Sequence, residues 1–272
     1  MPILGFGVFQ IQDPEVCTKA VLDAIDVGYR LIDTAQSYGN EEAVGKALSE
    51  TPVAREDLFI TTKIWISEYG YEKAKASLDA SLKRLQLDYI DLVLLHQPFG
   101  DTYGAYRALE EYYKAGKLRA IGVSNFYPDR LADMVHFNET KPQMNQVEAH
   151  PFHQQEEARV LMEKLDVQMQ AWAPFAEGKN DLFTNDILTK IGKAHQKTAA
   201  QVTLRFLIQR GIAVIPKTVS KDRMQENFDV FDFELSEDEM DLIRTLDTGT
   251  SLFFSHQDPD TVERFAGFTR TF

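Results

Sequence analysis

Eight short apolar runs, each followed by an amphipathic helical pattern, account for nearly the whole chain. The runs are ILGFG, RLIDTA, LFITTKIW, YIDLVLLH, RAIGVSN, PQMNQVEA, VQMQAWAP and IAVIPKT. They are almost continuous in apolar residues, as strands buried on both faces should be. Helical patterns lie between them, from EVCTKAVLDAIDVG through YEKAKASLDASLKRLQ to EEARVLMEKL. The long segment NDILTKIGKAHQKTAAQVTLRFLIQRG has room for two helices. DRMQENFDVF follows the eighth run, and SEDEMDLIRTLD makes a further helix. Strand-then-helix units repeated eight times predict an α/β fold, the (β/α)8 TIM barrel. An open doubly wound sheet would carry a glycine-rich phosphate turn after its first strand, and GFGVFQ does not supply one. Gly28, Gly116 and Gly211 read as helix stops. Ser236 and Glu239 read as a capping box, with Glu237 and Asp238 in the same first turn.

No linker or composition shift interrupts this order, so residues 1–272 read as a single barrel domain ending in a tail over 251–272. The tail is rich in aromatics without helical or strand periodicity. Phe253, Phe254, Phe265 and Phe268 should bury, either on the outer wall or across the mouth. The net charge of −13 argues against a nucleic-acid partner. No apolar stretch reaches the length of a membrane span. Cys17 is the only cysteine, so no disulfide forms within the chain. The N-terminus lacks the basic start and cleavage site of a signal peptide. Together these features lead to the expectation of a cytoplasmic protein. His150 and His153 lack a third spaced ligand, so no metal is expected.

Four polar residues sit at or just after the ends of successive runs: Asp33, Tyr38, Lys63 and His96. Barrel active sites lie at the C-terminal ends of the strands. A phenol, an ammonium, a carboxylate and an imidazole brought together there make a proton-transfer site. Lys63 beside Tyr38 should favour the phenolate, and moving a phenol from about 10 to about 8 takes roughly 3 kcal/mol. Asp33 is the natural counter-ion of a buried Lys63. His96 can donate a hydrogen bond to a substrate oxygen. Taken singly, such residues are more often caps, solvated charges or packing. Their common placement on three successive strand ends carries the joint reading.

The segments YRLIDTAQSYGNEEAVG, FITTKIW, LDYIDLVLLHQP, IGVSNF, NQVEAHP, AWAPF and IPKTVSKDRMQEN resemble the aldo-keto reductase family, in the family's order. The likeness runs from Met1 to about Asp247, and its details resemble bacterial members of the 2,5-diketo-gluconate reductase or broad aldehyde reductase type. It implies hydride transfer from NADPH to a small carbonyl. Tyr38 would be the general acid, Lys63 its tuner, Asp33 the partner of Lys63, and His96 the group that orients the carbonyl. The resemblance puts Ser124, Asn125 and Gln146 on the nicotinamide carboxamide and Trp172 against the ring. Lys217 and Arg223 would meet the 2′-phosphate, with Glu226 and Asn227 near the adenine. The implied cofactor set also takes in Gly7, Val8, Asp33, Ala173, Phe175, Thr218 and Val219. Phe9 and Trp65 would join Tyr38 and His96 in the substrate wall, with Val8 and Phe9 standing where Thr-Trp is commoner. Family members usually open with a β-hairpin before the MPILGFG strand. Its apparent absence leads to the expectation of a less stable barrel floor with the catalytic end intact. A monomer is expected.

Two other readings compete. A nicotinamide-sensing protein could use the same barrel with little turnover. A glycosidase-type barrel could pair Asp33 with another carboxylate, and NADPH would then have no effect.

Overall fold

The computed structural model describes residues 1–268. Its eight strands are β1 (Phe6–Gly7), β2 (Leu31–Asp33), β3 (Phe59–Ile64), β4 (Ile90–Leu95), β5 (Leu118–Ser124), β6 (Met144–Glu148), β7 (Gln168–Trp172) and β8 (Ala213–Val214). All neighbours run parallel, and their order in the sheet is their order in the chain. Bonds between the two outer strands close the sheet. Gly5 N donates to Val214 O and Val214 N to Ile3 O, each at 2.8 Å, and Gly7 N donates to Pro216 O at 3.1 Å. The expected (β/α)8 barrel is therefore present, and closure removes the sheet edges.

Around the sheet lie α1 (Pro14–Val27), α2 (Glu41–Glu50), α3 (Tyr71–Leu85), α4 (Thr102–Lys114), α5 (Pro128–Phe137) and α6 (Glu156–Leu165). They are followed by α7 (Asp186–His195), α8 (Ala199–Gln209), α9 (Lys221–Phe228), α10 (Glu237–Arg244) and α11 (Pro259–Ala266). The long helical segment divides into α7 and α8. Left-handed Gln196 ends the first, and Thr198 opens the second in a capping box with Gln201. Gly28, Gly116 and Gly211 all have positive φ, and Ser236 and Glu239 form the expected capping box. Among the described residues no helix is long and apolar enough to cross a membrane.

The period of two along each strand separates two apolar layers. Ile60, Val93, Leu95, Ile121 and Val147 belong to the large core between sheet and helices. Leu92, Leu94 and Met144 have the opposite parity and pack with Phe59 and Ala120 as the barrel's inner floor. Gly122 lies on this inner face. A Cβ there would come within 2.5 Å of Met144 O and 2.9 Å of Leu94 Cδ2, so only glycine fits. The same inward parity continues upward to Asp33, Lys63, His96, Ser124, Gln146 and Gln170. The site is thus the polar upper storey of an interior whose lower storey is apolar.

The tail corrects one expectation. Read as lacking helical periodicity, it contains α11, whose start is marked by Asp258 accepting from Asp260 N and by Pro259 in the first turn. Thr261 and Phe265 face inward from it. The tail crosses the mouth rather than the outer wall. Glu148 at the end of β6 accepts from Ser251 Oγ at 2.5 Å and Leu252 N at 3.0 Å. His256 Nε2 lies 2.8 Å from Gln97 Oε1, and Trp65 Nε1 donates to Phe268 O at 3.1 Å.

Two predictions follow from the floor and the tail. Gly122→Ala should destabilise the barrel by about 1–3 kcal/mol through overpacking, measured as a shift in urea midpoint. Burial holds the His256 imidazole down to about 4 from its usual 6.5. A neutral buried histidine contributes stability that is complete above about 6.5 and is lost as pH falls toward 4. The loss should reach the order of 3 kcal/mol. Urea unfolding at pH 7 and pH 4.5 should therefore show a larger loss for wild type than for His256→Gln. Equal losses would refute the assignment.

Candidate active site

Parity along the strands carries the predicted residues into one space. Lys63 is the third inward residue of β3 after Phe59 and Thr61, and His96 follows Leu92 and Leu94 along β4. Asp33 ends β2. Tyr38 closes a 3-10 turn, Gln36–Tyr38, immediately after that strand. A cavity of about 650 Å³ opens above them.

Lys63 is fully buried. Its Nζ donates to Asp33 Oδ1 at 2.6 Å, to Thr34 O at 2.9 Å and to Tyr38 OH at 3.3 Å. The other carboxylate oxygen, Asp33 Oδ2, accepts from Gln146 Nε2 at 2.8 Å. Gln146 Nε2 also donates to Gln170 Oε1 at 2.6 Å. Burial alone would pull the Lys63 ammonium down. The Asp33 charge and the Tyr38 oxygen reverse that and hold it above its ordinary value. Burial pushes the Asp33 carboxyl up, against the pull of Lys63 and Gln146. The proton of the pair stays on nitrogen, since an ordinary lysine lies several units above an ordinary carboxylate.

Tyr38 departs from expectation. Burial pushes its phenol above the ordinary value, and Lys63 only partly offsets this. The Lys63 cation thus limits a rise instead of producing a fall. At neutral pH the group is a protonated phenol. His96 is held well below its ordinary value, first by burial and then by the Lys63 charge, so its ring is neutral. Ser37 Oγ lies 3.3 Å from its Nδ1. When Ser37 donates to that nitrogen, the ring proton rests on Nε2 and is available for donation. Trp65 packs edge-on against His96 at 5.1 Å, and Phe9 lies tilted against Tyr38 at 4.9 Å.

A second polar arc faces the same cavity. Left-handed Asn125 donates through Nδ2 to His96 O at 3.1 Å and to Ser124 Oγ at 3.2 Å. Its Oδ1 accepts from Trp172 Nε1 at 2.8 Å, which fixes the indole plane. Ser124 Oγ donates to Gln146 O at 2.8 Å. Asn125 Oδ1 and Ser124 Oγ each keep a lone pair for a further partner.

The cavity is lined by Gly7, Phe9, Asp33, Tyr38, Trp65, His96, Ser124, Asn125, Gln146, Trp172, Ala173, Phe175 and Lys217. Other predicted residues lie elsewhere. Val8 is fully buried and meets Asn40 Nδ2 through its carbonyl, so its side chain does not line the cavity. Lys63 sits behind Tyr38. Thr218 accepts from Ser220 N at 3.2 Å in the turn before α9, and Val219 is exposed. Arg223 lies in the first turn of α9, whose N-cap is Ser220. Asn227 is buried. Glu226 is turned toward the start of α8, where it accepts from Thr198 Oγ1 at 2.7 Å.

The sequence reading missed Gln10, Ser37, Gln97, Glu177 and Phe183, which also line the cavity. Gln97 had a legible signal, since it directly follows His96. Ser37 and Gln10 likewise adjoin the predicted Tyr38 and Phe9, whereas Glu177 and Phe183 lie in a loop without periodicity. Phe253, Phe254, Phe265 and Phe268 complete the wall from the tail. His150 is engaged by Glu148 at 2.9 Å. Among the described residues no group of His, Cys, Asp and Glu could hold a metal.

Comparison with known proteins agrees with this geometry. The model of the Aldo/keto reductase family matches residues 3–248, which stops before the aromatic tail. The glyoxal reductase of Bacillus subtilis is 48% identical over 247 residues, 90% of this chain and 89% of that protein. The methylglyoxal reductase DkgA of Escherichia coli is 42% identical over 263 residues, 96% of this chain and 94% of that protein. A crystal structure of a Bombyx mori aldo-keto reductase in complex with NADP superposes with a TM-score of 0.88 at 31% identity, covering 97% of this chain and 93% of that one. An aldo-keto reductase from a Medee basin deep-sea metagenome library gives a TM-score of 0.92 at 42% identity, covering 95% and 96%. The catalytic-end geometry, the closed barrel and these matches together place the chain in the aldo/keto reductase family.

Proposed function

We propose that this chain reduces small aldehydes and ketones with NADPH, and that Tyr38 gives the proton that completes the alcohol. The observation that carries the reading is the Tyr38 hydroxyl, 3.3 Å from a fully buried Lys63 ammonium and facing a cavity rich in aromatic side chains. NADPH, when bound, supplies the hydride. The residues present fit it. The Trp172 indole is pinned by Asn125 as a flat wall, with Ser124, Asn125 and Gln146 offering polar groups beside it. Lys217 lies past the end of β8 and Arg223 in the first turn of α9, two cations near a helix N-terminus suited to a phosphate. Lys221, by contrast, is paired with Asp26 at 2.5 Å.

The protein's part in the chemistry is proton handling and orientation. The high phenol pKa keeps Tyr38 loaded with its proton. As that proton leaves, the Lys63 cation stabilises the phenolate, and Asp33 and Thr34 O keep the ammonium in place. His96, neutral and lining the cavity, donates a hydrogen bond to the carbonyl oxygen and aims it at Tyr38. Aromatic walls exclude water from the reacting carbon. The similarity to a glyoxal reductase and a methylglyoxal reductase suggests 2-oxoaldehydes among the substrates, and the walls suit aromatic aldehydes too. We further propose a single-domain, cytoplasmic monomer with no nucleic-acid partner.

Tyr38→Phe should lower kcat by about 10²–10⁴-fold, the usual weight of a general acid, with the Kd for NADPH within about threefold of wild type. The check is NADPH oxidation with methylglyoxal and benzaldehyde, beside NADPH titration by tryptophan fluorescence. Near-wild-type turnover in Tyr38→Phe would overturn the assignment. NADPH binding with no turnover by wild type would favour the sensing role instead. Charge-assisted hydrogen bonds contribute about 1.5–3 kcal/mol each. Lys217→Ala with Arg223→Ala should therefore raise the KM for NADPH by about 10²-fold or more while leaving that for NADH nearly unchanged. An equal rise for both cofactors would remove these residues from the 2′-phosphate.

A further inference from the structure

Gln36 opens the three-residue turn that ends in Tyr38, and it is almost completely buried. Both ends of its amide are engaged, by two separate elements. Nε2 donates to Ser77 Oγ at 2.6 Å, to Ser81 Oγ at 2.9 Å and, more weakly, to Ser77 O at 3.2 Å, all on α3. Its Oε1 accepts from the backbone N of Trp65, just past the end of β3, at 3.2 Å. One side chain thus ties the turn carrying the phenol to a helix behind it and to the residue after the strand carrying Lys63.

The far end of the tie is itself anchored. Ser81 Oγ donates to Glu41 Oε2 at 3.4 Å and receives Arg84 Nη2 at 3.3 Å. Glu41 is held by Arg84 Nε at 2.7 Å and by Thr62 Oγ1 on β3 at 2.6 Å. A fully satisfied buried network of this kind is rigid, and any half-broken member is costly. The phenol ring also packs against Phe9 and edge-on against His96, contacts that hold its plane but not the turn that carries it. Tyr38 N donates to Ala35 O within the turn, and its hydroxyl meets Lys63. Trp65, the other end of the tie, packs edge-on against His96.

We propose that Gln36 is a positioning residue for the reduction: it sets the reach of the Tyr38 hydroxyl toward the carbonyl and the stance of the Trp65–His96 wall. The inference rests on Tyr38 being the general acid. Gln36 touches neither the substrate nor the cavity, so its effect is on geometry. A displacement of about 1 Å at a reacting group costs about 10²-fold in rate.

The test is Gln36→Met, which keeps the volume and removes every hydrogen bond. The expected result is a 10–100-fold fall in kcat, with the Kd for NADPH within twofold of wild type. The primary isotope effect on kcat with deuterated NADPH should rise, because the chemical step becomes slower relative to release. Gln36→Glu keeps an acceptor for Trp65 N and can take the Ser77 hydroxyl proton, whereas the Ser81 proton is already given to Glu41, so it should recover only part of the rate. If Gln36→Met does not fold, the double variant Ser77→Ala, Ser81→Ala carries the test, with a smaller fall in kcat and the same rise in isotope effect. An unchanged kcat in a folded variant would overturn the proposal. So would a fall in kcat matched by an equal loss of NADPH affinity, which would mark general loosening. Measuring Tyr38→Phe alongside separates the two ideas. Full activity there removes the general-acid reading, whereas its loss beside a normal Gln36→Met removes only the positioning role.

Discussion

The Lys63–Asp33 pair is the interaction on which the catalytic end depends. An ammonium with no solvent exposure is costly to hold in a protein, and a single counter-ion seldom offsets the desolvation of both groups. Here the pair is built into a larger set. The ammonium has a carboxylate, a carbonyl and a phenol as acceptors, and the carboxylate has Gln146 as a second donor. Those partners come from β2, the loop after it, and β6. Only a closed barrel brings β6 opposite β2, so the fold supplies what the charge requires. Burial keeps His96 neutral and the same buried cation adds to that effect, whereas at Tyr38 the cation opposes burial and only limits the rise of the phenol.

Much of this was legible in the chain itself. The repeat of apolar runs and helical patterns gave the barrel, because each run contains one strand, although some runs continue past it, as IAVIPKT does beyond β8. The alternation of side chains, extended one step past the apolar floor, gives Lys63 after Thr61 and His96 after Leu94. Gln36 was illegible for a different reason. It lies in a turn, where no period applies, and its partners Ser77 and Ser81 sit one helical turn apart on a helix some forty residues later. The start of α11 did leave a local trace in Asp258-Pro259, outweighed by the irregular spacing of the aromatics around it. Phenol acidity was misread because a charge partner can be seen in sequence, whereas the depth of burial that opposes it cannot.

The cavity divides by origin. Its inner rim comes largely from strand ends and the turns just after them and carries the proton-handling groups. Its outer wall comes from Phe253, Phe254, Phe265 and Phe268, beyond the stretch that the family model matches. The wall is nevertheless fastened to the rim through Glu148, Gln97 and Trp65, each adjacent to or part of the site. Packing at the mouth and geometry at the reacting centre are therefore mechanically joined.

The bonds that close the barrel also set the order in which it can be assembled. Residues 3–7 pair with residues 214–216, so the hoop joins segments about two hundred positions apart. Bringing such distant segments together carries a loop-closure entropy that local pairing does not. Strands β2, β3 and β4, which carry Asp33, Lys63 and the approach to His96, pair with immediate neighbours and can zip early. On the ribosome, the sheet would stay an open ribbon with a bare edge until the eighth strand emerged. The strands that carry the proton-handling groups thus pair over short stretches of chain, whereas the Gln146 bond that completes their charge set waits for the ring to close, and the open edge of β1 is the stretch most in need of protection while the chain is still being made.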